Sequence, residues 1–180
     1  VIYTKTAHGQ PLRVDGTAEG NRRESLLQRY YFPHHQSLFE ATQGELERSQ
    51  KVLIIDCHSF PSIPLAYEPV QDKNRPDICI GTDDFHTPQW LSDTLYNGFS
   101  NLGYRVLVDA PFGGTITPSQ FYKAEKSVAS AMIEINRSLY MDETLSDQIP
   151  QFEKVKSDIS GVLSGAYKEF KNAATAANRF

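Results

Sequence analysis

Cysteine, extended apolar runs and clustered basic charge are all scarce in this sequence of 180 residues. No stretch approaches the roughly 18 consecutive apolar residues that a membrane span needs. The formal net charge is −4 and the basic residues are scattered, so nothing resembles the electrostatic footprint of a phosphate-backbone binder. Nucleic acid and membrane are therefore not expected partners. Only Cys57 and Cys79 occur, each inside an apolar run that reads as a buried strand. Two buried thiols suit a reducing cytoplasm. There is no GxSxG elbow, which leaves Ser59 a poor serine nucleophile. There is no P-loop and no GxGxxG. The opening Val1-Ile2-Tyr3-Thr4-Lys5-Thr6 offers neither an initiator methionine nor a secretory leader, and reads as a start inside something longer.

What is present is ordinary globular material: 39% hydrophobic and 22% charged residues, values that exclude disordered and fibrous classes. One domain over residues 1–180 fits this length, and two would be cramped. Residues 1–20 read as an irregular entry segment. Helix formers dominate 22–49, where Pro33 must break or kink the helix because it lacks an amide hydrogen and crowds the preceding turn. Val52-Leu53-Ile54-Ile55 is a continuous apolar run, the mark of a strand covered on both faces. A proline-rich loop over 59–75 follows, then a second strand over 78–80 that stops at Gly81. Pro88 lies just inside a predicted helix carrying Trp90, Leu91, Leu95, Phe99 and Leu102, and Gly103 ends it. Strands are predicted over 104–108 and 128–135. Apolar spacing from Ile149 to Phe170 describes an amphipathic helix running toward Ala177, with Gly161 and Gly165 as weak points. Strands alternating with helices give an α/β domain with a mainly parallel, mixed sheet flanked by helices.

Three constellations could carry chemistry. Asp56-Cys57-His58-Ser59 stands directly after the apolar strand, where α/β sheets gather functional residues. A histidine there can offer neutral imidazole to a metal, with Asp56 orienting it or serving behind it, or it can be satisfied by local hydrogen bonds. Glu134 sits in an apolar strand, where a carboxylate is costly unless it is paired or functional. It is either a general base or the ion-pair partner of Arg137. Gly113-Gly114-Thr115 either admits a close backbone approach to a small ligand or is simply a turn. His8, His34, His35 and His86 show no spacing that would build a zinc site by themselves. The His34-His35 pair either lines a cleft or is solvated.

Taken in order, five stretches resemble the N-formylglutamate amidohydrolase family. They are Tyr31-Phe32-Pro33-His34-His35 followed by Leu38, Ile54-Ile55-Asp56-Cys57-His58-Ser59, Pro76-Asp77-Ile78-Cys79-Ile80-Gly81-Thr82, Pro111-Phe112-Gly113-Gly114-Thr115-Ile116, and Ile133-Glu134-Ile135-Asn136-Arg137-Ser138-Leu139-Tyr140-Met141. The resemblance implies a zinc-carboxypeptidase-like α/β fold. It implies hydrolysis of N-formyl-L-glutamate to formate and L-glutamate, a step of histidine breakdown, with a small N-acyl amino acid as substrate. By position, His58 corresponds to a ligand of Zn2+ after a central strand, and Glu134 to the carboxylate that activates water. Gly113, Gly114, Thr115 and Arg137 would face the substrate, with Asp56 and Ser59 behind the metal. The resemblance further implies that the other metal ligands and an arginine-bearing segment lie upstream of Val1. The chain is thus expected to be the C-terminal portion of an amidohydrolase domain, with an incomplete site and little activity by itself. Two other readings stay open: a non-catalytic binding module on the same fold, and a related deacylase or carboxypeptidase. Zinc content separates the first, and a panel of N-acyl amino acids and peptides the second.

Overall fold

The computed structural model of the chain describes residues 5–7, 9–12 and 21–173. His8 and most of the entry segment lie outside them, as does the stretch beyond Ala173. Helix α1 (Asn21–Leu26) passes into a π-helical turn (Leu27–Tyr31) and then α2 (Phe32–Ser49). The π turn accommodates Pro33. The Phe32 amide donates five residues back to the Leu27 carbonyl, and Pro33 enters α2 in its first turn, where no amide hydrogen is required. The helix therefore continues through the proline in widened form and does not break. Gln50 closes α2 in the left-handed region, its amide 2.9 Å from the Leu46 carbonyl oxygen.

The chain then enters β1 (Val52–Phe60), followed by β2 (Ile78–Gly81), α3 (Gln89–Asn101), β3 (Val106–Val108) and β4 (Val128–Asn136). A short 3-10 turn (Arg137–Leu139) leads to a small hairpin, β5 (Met141–Asp142) with β6 (Asp147–Gln148), and the long helix α4 (Phe152–Asn172) closes the domain. The strand order is β1-β4-β2-β3; β1 runs parallel to β4 and β2 parallel to β3, while β2 and β4 are antiparallel. The expected mixed, mostly parallel sheet flanked by helices is what forms.

Several expectations need correction. Among the described residues β1 is an edge strand, not a central one. It also runs to Phe60, so Asp56, Cys57, His58 and Ser59 lie inside the strand and not after it. Nine paired registers with β4 hold those polar residues in extended form, which the apolar run alone could not reveal. Cys57 is exposed, so only Cys79 is a buried thiol, and both are free. Pro88 is the N-cap of α3 and lies outside it. Gly161 and Gly165 sit in an unbroken α4.

The two faces of the sheet differ. Side chains two apart on a strand share a face, and so do register partners. Ile78, Ile80, Val106, Ala131 and Ile133 therefore form one face, covered by Leu91, Leu95 and Phe99 of α3 and by Val162 and Ala166 of α4. Gly98 lets the two helices approach closely, since a Cβ there would stand 2.9 Å from Val162 Cγ1. Tyr104 Oη donates to Asp158 Oδ2 at 2.6 Å, tying the start of β3 to α4. Hydrogen bonds from Lys154 and then Tyr104 hold the Asp158 carboxyl below its ordinary range. A carboxyl lowered in the folded state stabilises above its unfolded value and loses that contribution as pH falls through its folded value. Tyr104→Phe is thus expected to cost about 1 kcal/mol at neutral pH, and less as pH falls below about 4. Urea unfolding at both pH values checks this, and an equal cost at both would contradict it.

Candidate active site

The opposite face of the sheet carries Asp56 and His58 from β1, Glu134 and Met132 from β4, and Cys79 from β2. Register places His58 beside Glu134, Glu134 beside Cys79, and Asp56 beside Met132. Adjacent strands lie about 4.8 Å apart, so His58 and Glu134 share one small area. Hydrolytic chemistry on this face would have both within reach.

Asp56 Oδ1 lies 2.8 Å from His58 Nε2. A carboxylate only accepts, so Nε2 donates to it, and in the neutral imidazole Nδ1 is then the nitrogen with the lone pair. This is the tautomer that a carboxylate imposes on a metal-binding histidine. The His58 side chain is 49% exposed. Glu134 is half-buried, and its Oε2 is buried without a hydrogen-bond partner among the described residues. Burial raises its carboxyl above the ordinary value, opposed by His58 first and then by Arg137. An unpartnered buried carboxylate oxygen requires an explanation, and a reacting group or metal-bound ligand in front of it supplies one.

A loop roofs this face. Cys79 Sγ donates to the Phe112 carbonyl oxygen at 3.0 Å, and Thr117 and Ser130 hydroxyls meet at 3.1 Å. Between these anchors Gly114 crosses directly over the sheet. A Cβ on Gly81 would overlap the Gly114 carbonyl oxygen and Met132 Cε, so only glycine at 81 permits the approach. Gly114 itself has φ +85°. Asp109 fixes the loop's start, its carboxylate accepting from the Thr82 amide at 2.7 Å and the Thr82 hydroxyl at 2.5 Å. Thr115 Oγ1, like Glu134 Oε2, is buried and unpartnered. Gly114 thus lies over the face that carries Glu134, with Gly113 and Thr115 flanking it in the chain.

Ser59 does not join them. It alternates to the α4 side, where its hydroxyl and carbonyl accept from Arg137 Nε and Nη2, each at 3.1 Å. Arg137 stands at the end of β4, close enough to draw the Glu134 carboxyl downward. A groove of about 660 Å³ also opens on the α4 side, between Cys57, Ile135, Val155 and Ile159. It is separated from Glu134 by the sheet, apart from His58 at the strand edge. His35 lines another groove, of about 700 Å³, against Thr117 and Gln120, while His34 is exposed. His86 is buried instead: Nδ1 lies 2.8 Å from the Val128 carbonyl oxygen and Nε2 accepts from the Lys123 amide at 2.9 Å, a fully used core histidine.

Sequence reasoning passed over Arg75 and Glu68, both inside the stretch read as proline-rich loop. Both are buried and ion-paired, Arg75 Nη2 lying 2.5 Å from Glu68 Oε2. The Arg75 guanidinium packs over Phe60 and Phe112, 4.8 and 5.2 Å from the ring centroids. No local pattern distinguishes such an arginine from a solvated one.

The mixed sheet flanked by helices defines the class, an α/β protein, with Glu134 and the Asp56–His58 pair in register within two strands on one face. The N-formylglutamate amidohydrolase family profile matches residues 1–141, and the chain belongs to that family. Among solved structures, the chain resembles an N-formylglutamate amidohydrolase from Ralstonia eutropha JMP134, with TM-score 0.70 and 26% identity over 84% of this chain and 55% of that one. It also shares the fold of a gene product from Agrobacterium tumefaciens, with TM-score 0.66 and 16% identity over 94% of this chain and 62% of the other. The chain thus spans between about half and two thirds of the length of these structures. No curated protein matches it significantly. No helix among the described residues is long and apolar enough to cross a membrane.

Proposed function

We propose that this chain supplies the general base and one metal ligand of an amidohydrolase that cleaves the formyl amide of N-formyl-L-glutamate, releasing formate and L-glutamate. The observation that carries the reading is the register pairing of His58 with Glu134 on one face, in a chain of this family. Glu134 takes a proton from the attacking water as the water oxygen bonds to the formyl carbon. It then delivers that proton to the amide nitrogen as the C–N bond breaks, so the carboxylate is regenerated. The unpartnered Oε2 is suited to both transfers. Arg137, whose Nε and Nη2 bond Ser59 on the α4 side, would reach a substrate carboxylate only at the strand end, and the Gly113–Thr115 backbone would lie against the acyl group.

Zinc is the proposed cofactor. A catalytic zinc takes three protein ligands and keeps a position for water. His58 Nδ1, oriented by Asp56, fits as one donor. Among the described residues no group of three or more His, Cys, Asp or Glu side chains is placed to hold a metal, so they do not complete the set. When bound, zinc would polarise the formyl carbonyl and acidify water.

The test is release of the free amino group by the intact protein from a panel of N-formyl, N-acetyl and longer N-acyl amino acids and from peptides, with formate measured alongside for the N-formyl substrates. N-formyl-L-glutamate should give the highest kcat/KM. A preference for an N-acetyl or peptide substrate would move the protein to a deacylase or carboxypeptidase role, and no turnover of any would leave a binding module.

A further inference from the structure

Arg75 is more than a buried ion pair. Its Nη1 donates to the Pro61 carbonyl oxygen at 2.9 Å, just past the end of β1, and Nη2 binds Glu68. Glu68 in turn accepts from the Leu65 amide at 3.0 Å. The guanidinium face covers both Phe60 and Phe112, whose rings are 5.5 Å apart. One side chain therefore joins three segments: the end of the strand that carries His58, the 61–75 stretch, and the start of the glycine loop.

The location is specific. Phe60 shares its face with His58 and Asp56, and its register partner Asn136 shares it with Glu134. Phe112 immediately precedes Gly113 and bonds Cys79 beside Glu134. Arg75 Nε, Thr115 Oγ1 and Glu134 Oε2 are the buried side-chain polar atoms that lack partners among the described residues. Two of them belong to the proposed site itself, and the third is the guanidinium that packs against that site's loop. A core arginine serving stability alone has no reason to meet the roof and the strand end at once. Burying a guanidinium is costly, and an apolar replacement of such a pair is often neutral or stabilising.

We propose that Arg75 is a positioning residue for the reaction, holding the Phe112–Thr115 loop at its working height over Glu134 by clamping Phe112 against Phe60 and Pro61. The proposal rests on the amidohydrolase reading for its kinetic arm but not for its structural one. A roof displaced by about 1 Å costs turnover on the order of 100-fold, because the reacting groups leave their productive geometry. Lysine would retain the charge but not the flat stacking and forked donors.

The experiment uses Glu68→Gln/Arg75→Met in the intact protein, which removes both charges together while Gln retains an acceptor for Leu65. Expected are a wild-type metal content and melting temperature, with amide hydrogen exchange at residues 113–115 faster by at least about tenfold. The kcat should fall about 10- to 100-fold with KM little changed. Unchanged loop exchange together with kcat within about twofold of wild type would overturn the proposal, as would a loss confined to KM. If the double variant does not fold, Arg75→Lys is read in the same two ways. A wild-type protein without hydrolytic activity would sink the functional reading; loop exchange would then decide the role of Arg75 alone.

Discussion

Glu134→Gln in the intact protein is expected to lower kcat by about 100-fold or more while leaving metal content unchanged. Gln keeps the shape of the side chain and its place beside His58 and Cys79 but cannot carry a proton between water and the leaving nitrogen. The same change should not harm the fold. Burial raises the Glu134 carboxyl, so its ionised form is disfavoured in the folded protein. A carboxyl raised on folding makes stability fall as pH rises from its ordinary value through its raised one. In metal-free protein at neutral pH, Gln should therefore be as stable as wild type or more so. Loss of turnover without loss of stability is the signature of a residue kept for chemistry. Near wild-type turnover would reassign Glu134 to a structural role.

Gly81→Ala should damage both fold and activity. The added Cβ meets the Gly114 backbone and Met132 on the site face; the Met132 tip can turn aside, but the Gly114 carbonyl cannot move without shifting the roof. Overpacking of this kind costs about 1–3 kcal/mol, and displacement of the loop adds a fall in kcat of up to about 100-fold. Gly98→Ala is the control. Its Cβ would press on Val162, on the covered face between α3 and α4. It should lose stability but keep wild-type turnover per folded molecule. Denaturant midpoints and kcat measured on both variants separate the two effects, and equal losses of turnover would remove the special role given to the loop.

The sequence was most readable where chemistry contradicts environment. Glu134 in an apolar strand and His58 beside a run of four aliphatic residues could both be singled out locally, and their pairing in register is the structural counterpart of that signal. The helices were readable from apolar spacing, and Pro33 marked its own irregularity, although the form it took is a π turn. The full length of β1 was hidden because Asp56, His58 and Ser59 carry no strand signal; only the partner strand makes them extended. That same extension turned Ser59 to the far face and exposed Cys57. The β5–β6 hairpin escaped notice because two-residue strands exist only through their pairing. Arg75 and Glu68 escaped for a similar reason. Their burial depends on Phe60, Pro61 and Phe112 converging, which no window of local sequence encodes.

The central claim is that the His58–Glu134 face is the catalytic face, with Nδ1 of His58 turned to the metal. Anomalous diffraction at the zinc edge from crystals of the zinc-loaded intact protein tests it most directly. The expected result is a peak about 2.0–2.1 Å from His58 Nδ1, with Asp56 still on Nε2 and Glu134 Oε2 on the same side of the sheet. A fully occupied peak elsewhere, with His58 out of coordination range or bound through Nε2, would contradict it.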